Sequence, residues 1–209
     1  MPERAPGETQ ALKARRDEVM KKLLMAAMAA LFCQLATAVE VAGVKFEDKA
    51  RVGNGDLLVN GAGLRKKVFF QVYAMALYLP EKSADSEAVL AAKGGKRIAI
   101  TLLRDLTAQQ FVEALQEGMA SNHSEAEMLG LKERLTQLSE RMLAIGEAKS
   151  GSRIVIDWLP DSGTRLTVNG QVQGKDISGE DFYRALLRIW LGSKPVQDDL
   201  KAALLGKDS

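Results

Sequence analysis

A chain of 209 residues with 46% hydrophobic and 27% charged side chains has the balance of a folded globular protein, which excludes wholesale disorder and a membrane-dominated architecture. Its formal net charge of +2, with no Lys/Arg-rich helix interleaved with aromatics, leaves no electrostatic footprint for nucleic acid. One or two domains fit this length.

The first 38 residues differ from the rest. Met20-Lys21-Lys22 is a short positive start, Leu23 to Leu35 is an apolar stretch broken only by Gln34, and Ala36-Thr37-Ala38 is a small-x-small pattern. This order predicts a secretory signal peptide that begins at Met20 and is cut after Ala38, behind a polar extension. The protein is then exported, to the periplasm in a bacterium. An uncleaved N-terminal membrane anchor is the alternative. Phe32 before Cys33 is too bulky for a lipoprotein cleavage site. Residues 39–209 remain as one domain, with as many basic as acidic residues and without Cys33, the chain's only cysteine. No disulfide can staple such a domain, so packing alone must hold it.

Val41 to Phe46 is short and β-branched and predicts a first strand. Asn54-Gly55-Asp56 marks a turn, and Leu57 to Val59 resumes extended structure. The stretch from Asn60 to Pro80, NGAGLRKKVFFQVYAMALYLP, is the longest strand candidate, entered through a tight turn at Gly61-Ala62-Gly63. Ser83 to Gly95 reads as a short helix, and Lys96 to Leu103 alternates as a strand. Thr107 and Gln110 form a capping box, with Leu106 and Phe111 as hydrophobic staple. Ser124 and Glu127 repeat the box before a long amphipathic helix that keeps its period to Gly146. Arg153 to Leu159 and Thr164 to Val168 are strands, and Asn169-Gly170 is a strong hairpin signal. Ser178 is expected to cap a helix carrying Phe182, Leu186, Ile189 and Trp190. A last short helix follows Pro195. Tight hairpins imply antiparallel pairing, and segregated blocks imply an α+β fold with helices on one side of the sheet.

Much chemistry is missing from this pattern. His123 is the only histidine, at a helix junction where a surface position is expected. No H-E-x-x-H, C-x-x-C, G-x-S-x-G, P-loop or dinucleotide fingerprint occurs. No metal and no cofactor is therefore expected. Met128 and Met142 fit core packing.

Arg65 and Tyr73 raise a narrower question. Were the strand straight, odd positions from 65 to 75 would share a face reading Arg, Lys, Phe, Gln, Tyr, Met. That is an apolar cleft with a charged end, suited to an anion that a guanidinium fork and a phenol can both grip. It is equally a solvated strand end followed by a core tyrosine.

GAGLR followed by VYAMALYLP resembles the chalcone isomerase superfamily, whose members carry a G-G-A-G-x-R segment before a strand ending in a V-Y-L-like triplet. The C-terminal GKDISGEDFYRALLRIWLGSKPVQDDLKAALLG resembles the family's last two helices. The similarity spans residues 41–206, and exported bacterial members resemble the chain most. It implies an open-faced β-sandwich, an antiparallel sheet backed by helices. The family holds enzymes that cyclise chalcones and non-catalytic relatives that bind fatty acids. Arg65 matches the arginine that stabilises substrate charge. Tyr73 falls where the enzymes have a threonine and where fatty-acid-binding relatives have a tyrosine that shares a carboxylate with the arginine. Phe111, Gly118 and Ile189 stand where the enzymes carry a tyrosine, an asparagine and a threonine. The resemblance thus implies a lipid carboxylate as ligand, held by Arg65 and Tyr73, with Phe69, Val72, Met75 and Phe111 as apolar lining. The alternative it leaves is an isomerase or intramolecular lyase acting on an enone with Arg65 as electrophile. It names no protein partner.

Overall fold

Alternation along the strands decides which face of the sheet is covered by what. The computed structural model describes residues 38–207 together with Arg16, Glu18 and Met20. The expected signal peptide and its cleavage pattern lie outside the described residues, apart from Met20 and Ala38 themselves. Eleven strands run in chain order: β1 Ala38–Val41, β2 Val44–Glu47, β3 Lys49–Val52, β4 Gly55–Lys67, β5 Phe70–Leu79, β6 Lys96–Leu102, β7 Leu106–Thr107, β8 Glu147–Ala148, β9 Arg153–Leu159, β10 Gly163–Val168 and β11 Gln171–Val172. Within residues 38–207 five helices accompany them: α1 Ser86–Ala91, α2 Ala108–Asn122, α3 Glu125–Leu143, α4 Glu180–Leu191 and α5 Asp198–Leu204. The main sheet has seven strands in the order β11-β10-β9-β6-β5-β4-β3, and every pairing is antiparallel.

On one face, Met75, Leu77 and Leu79 of β5, Ile98, Ile100 and Leu102 of β6, and Ile154 and Ile156 of β9 are buried. They share one core with Leu115 and Met119 of α2, Leu135 and Leu138 of α3, and Phe182 and Leu186 of α4. Each fully buried Leu or Ile stabilises the fold by about 1.5–3 kcal/mol. On the other face the strands present small residues, Ala74, Ala76 and Ala99, which lets the β1–β2 hairpin approach. Phe46 of that hairpin fills the space with Leu57, Val59 and Tyr78. The fold is therefore α+β, an antiparallel sheet with a helical layer on one face, as the sequence predicts.

Two helix starts also follow the sequence, whereas the short helix expected from Ser83 begins at Ser86 behind an Asp85 cap. Both capping boxes form, Thr107 with Gln110 and Ser124 with Glu127. Asn169 and Gly170 both have positive φ, 50° and 82°, as a tight two-residue hairpin turn requires. Three expectations are corrected. Val41 to Phe46 is not one strand: Ala42 and Gly43 have φ of 50° and 81° and fold it into the β1–β2 hairpin. Asn60 to Pro80 is also a hairpin, β4 and β5, turned at Val68-Phe69. Gly61-Ala62-Gly63 is then no turn but the middle of β4. The third concerns α4, whose N-cap is Gly179, with no side-chain cap. Asp181 instead takes both arms of the Arg134 guanidinium at 2.7 Å each.

Candidate functional site: a guanidinium and a phenol across two strands

The β4–β5 hairpin changes the relation between Arg65 and Tyr73. On a straight strand, eight residues would separate their Cα atoms by about 26 Å. In the hairpin they are direct cross-strand partners, so their side chains rise side by side from one face of the sheet. Tyr73 is paired on its other side with Leu102 of β6, and its ring packs against the core beneath the helices.

The glycines of β4 explain how a helix comes so close. Gly61, Gly63 and Arg65 point the same way along the strand. A Cβ on Gly61 would lie 2.1 Å from the Ala203 carbonyl oxygen, and one on Gly63 would lie 2.8 Å from both Ala203 Cβ and Leu200 Cδ1. Only a strand without side chains there can carry α5 directly on its backbone. Asn60, the extra residue of a β-bulge, locks the contact: its Nδ2 donates to the Leu204 carbonyl at 2.7 Å and to that of Ser83 at 2.9 Å.

The approach of α5 brings Gln197 to Arg65. Gln197 precedes the first turn of α5 but makes no cap bond there. Its amide spans the β4 edge instead, donating to the Leu64 carbonyl at 3.1 Å and accepting from the Lys66 backbone N–H at 2.8 Å. The same oxygen accepts from Arg65 Nη1 at 3.3 Å, and Nη1 also donates to the Lys66 carbonyl. Nη1 is thus occupied, whereas Nε and Nη2 of Arg65 meet no acceptor among the described residues. No carboxylate there pairs with this guanidinium.

Trp190 of α4 sets the direction of the phenol. Its indole N–H can only donate, and it does so to the Tyr73 hydroxyl at 2.9 Å. The hydroxyl oxygen is the acceptor in that bond, so its own proton is left to donate elsewhere. No described residue receives it. Burial pushes the Tyr73 phenol above its ordinary value of 10.0, against the smaller lowering effects of the Trp190 bond and the Arg65 charge. It therefore stays a neutral donor at physiological pH. The corner offers a fixed positive edge and one free O–H, side by side. That set matches an oxyanion such as a carboxylate. Among the described residues, neither a carboxylate nor an imidazole is a hydrogen-bond partner of Arg65 or Tyr73.

The remaining expected lining residues scatter. Met75 is buried two positions from Tyr73, in the core beneath the helices. Val72 is the extra residue of a second bulge, opposite the Arg65–Lys66 step, and is half-buried. Phe69 lines no cleft: it sits at the hairpin tip, 95% exposed, because the chain turns there and does not run on. Phe111 lines an apolar pocket with Leu106, Met142, Ile145, Ile154 and Leu166, of cavity volume about 30 Å³, roughly the room that two waters need. Arg65 and Tyr73 do not line it. Gly118 and Ile189 meet face to face: a Cβ on Gly118 would lie 2.8 Å from Ile189 Cγ2. His123 is half-buried at the α2–α3 junction, with Nδ1 2.8 Å from the Met119 carbonyl, where a surface position was expected. A groove between α3 and α4 holds Arg134 and Arg188, but both are met by Asp181 and Glu127.

Sequence reasoning missed Gln197, which carries no pattern, and the role of Trp190. A buried tryptophan on an amphipathic helix does need an acceptor for its N–H, and that was the available signal.

An antiparallel sheet backed on one face by helices defines the fold class. The chain belongs to the chalcone isomerase-like family, which it matches over residues 38–206. No curated protein sequence matches it. Among solved structures it is similar to a fatty-acid binding protein of Arabidopsis thaliana, at 16% identity and a TM-score of 0.64, over 81% of this chain and 96% of that one. At that identity the likeness establishes the fold.

Proposed function

We propose that this protein is an exported, non-catalytic binding module that holds a fatty acid or similar amphipathic carboxylate. One observation carries the reading: Arg65 and Tyr73 stand as cross-strand partners, each with donors left over once their protein partners are counted. A carboxylate takes the Nε–Nη2 edge of the guanidinium in a fork and the phenol proton on a free lone pair. The fatty-acid binding of the Arabidopsis protein with this fold supports the ligand class. The apolar contact of Gly118 with Ile189, and Phe111 in its pocket, stand against an isomerase, since these three positions would have to be polar. Export follows from the N-terminal pattern of positive start, apolar stretch and small-x-small site.

An acyl tail needs several hundred Å³, far more than the pocket beside Phe111 offers. Burial of the acyl chain, at about 0.8 kcal/mol per methylene, would supply the affinity. The test is extraction of the natively purified protein with organic solvent. Mass spectrometry is expected to find a long-chain fatty acid in stoichiometric amount. No lipid in the extract, together with no calorimetric binding of added fatty acid, contradicts the proposal. Turnover of chalcones above the uncatalysed rate, lost in Arg65→Ala, would favour the isomerase instead.

A further inference from the structure

The β4–β5 hairpin ends in three consecutive apolar residues that face water. Val68 is 79% exposed, Phe69 95% and Phe70 60%. None of the three belongs to the apolar core. Lys67 pairs with Phe70, so the loop is only Val68-Phe69, and the first loop position has φ of 57°. Glycine takes that conformation freely, but a β-branched side chain is strained in it. The β10–β11 hairpin of the same chain is turned by Asn169-Gly170 and shows what an unconstrained tip looks like. At Val68-Phe69 a strained, apolar turn stands where a relaxed, polar one would serve the fold better.

The surroundings of the tip are cationic. Lys66 and Lys67 precede it on β4, both exposed. The Arg104 guanidinium lies 5.0 Å from the centroid of the Phe70 ring. From Leu57 to Pro80 the chain carries Arg65, Lys66 and Lys67 and no carboxylate. Asp105, next to Arg104, is held by the Ser150 N–H and the Lys149 ammonium.

We propose that this tip docks the protein on an anionic lipid bilayer, with Val68, Phe69 and Phe70 in the interface and Lys66, Lys67 and Arg104 at lipid phosphates. The convex shape favours a bilayer over a folded partner. A two-residue tip whose side chains radiate outward needs a complementary pocket on a protein, but only a fluid apolar layer in a membrane. Aromatic rings suit the depth just below the headgroups, and lysine stems reach back to phosphate level. Interfacial elements immerse by about 5–10 Å. Three residues of strand span about 10 Å, so a tip buried to that depth sets Arg65 at the headgroups, where a fatty-acid carboxylate resides. This last step rests on the fatty-acid reading; the docking itself does not.

The full chain carrying Phe69→Trp tests the docking, because a tip-local probe reports immersion whatever the N-terminal segment does. Trp158 and Trp190 are buried and serve as the internal reference. Vesicles of phosphatidylglycerol and phosphatidylcholine with brominated acyl chains are expected to quench the new tryptophan strongly, and pure phosphatidylcholine vesicles weakly. Lys66→Glu with Lys67→Glu should weaken the anionic-vesicle response roughly 25-fold or more, about 5-fold or more per charge. An unchanged melting temperature shows that these positions leave the fold intact. No quenching of the introduced tryptophan on anionic vesicles, or equal quenching on both vesicle types, overturns the proposal. Arg65→Ala in the same assay separates the two readings. Loss of fatty-acid binding with intact quenching leaves docking standing on its own. Fatty-acid binding by a Phe69→Trp protein whose tip stays unquenched leaves the ligand reading standing and docking refuted.

Discussion

Two places in the helical layer carry the positions that the family resemblance singles out, and they are built in opposite ways. Where β4 and β5 meet α4 and α5, Arg65, Tyr73, Trp190 and Gln197 form a hydrogen-bonded corner with donors to spare. Where α2 crosses α4, Gly118 and Ile189 press together without a polar atom between them. The first can hold negative charge. At the second, the two residues that meet, a glycine and an isoleucine, have no polar side-chain atom. The contrast separates holding an anion from transforming it, since catalysis needs groups that act on the reacting atoms beyond uniform binding.

The supporting glycine strip is where this contrast breaks most completely. Gly61→Ala sets a Cβ against the Ala203 carbonyl and must lift α5 off β4, taking Gln197 with it. We expect a loss of about 3 kcal/mol or more in chemical denaturation, with fatty-acid binding lost as well. Ile189→Thr probes the apolar side. The change removes apolar packing against Gly118 and buries a hydroxyl that can bond only back to its own helix, and stability should fall by about 1–3 kcal/mol. Chalcone turnover should not appear, because one hydroxyl does not rebuild a constellation; turnover would merge the two regions into one active site.

Smaller effects sharpen the polar corner. Tyr73→Phe removes the free O–H and the acceptor of the Trp190 N–H, and should weaken fatty-acid binding by about 1 kcal/mol, roughly 5-fold. The buried Trp190 N–H loses its acceptor in that variant, so the melting temperature should fall as well; unchanged fatty-acid affinity would make the hydroxyl a core hydrogen-bond group and not a ligand donor. The smallest effect is with pH. The raised Tyr73 pKa means the folded protein holds this proton more tightly than the unfolded chain. Its stabilising contribution is fully present below the unfolded value of 10.0 and is lost as pH climbs above it and through the folded value. Affinity should therefore be flat between about pH 6 and 9, where the ligand is ionised and the phenol is not. A decline within that window would implicate a group outside the corner.

Much of the frame was legible because local signals and burial agree. Thr107/Gln110, Ser124/Glu127 and Asn169-Gly170 each specify their own geometry with a few residues. Arg65 and Tyr73 stood out by chemistry, but their adjacency did not. Val68-Phe69 has none of the residues that announce a turn, so the hairpin was hidden inside an apolar run. For the same reason Gly61-Ala62-Gly63 passed for a turn. Its glycines answer to Ala203 and Leu200, far away along the chain, and no local pattern encodes such a contact. Gln197 was invisible on the same ground.

Replacing Arg65 by lysine tests the central claim most directly. An ammonium keeps the charge but cannot grip a carboxylate as a fork. Isothermal titration of a long-chain fatty acid into Arg65→Lys should show affinity roughly 10- to 150-fold weaker than in the wild type, the equivalent of about 1.5–3 kcal/mol for a charge-assisted bond, at an unchanged melting temperature. Equal affinity in Arg65→Lys and Arg65→Ala to that of the wild type would make the arginine a solvated strand residue and contradict the account.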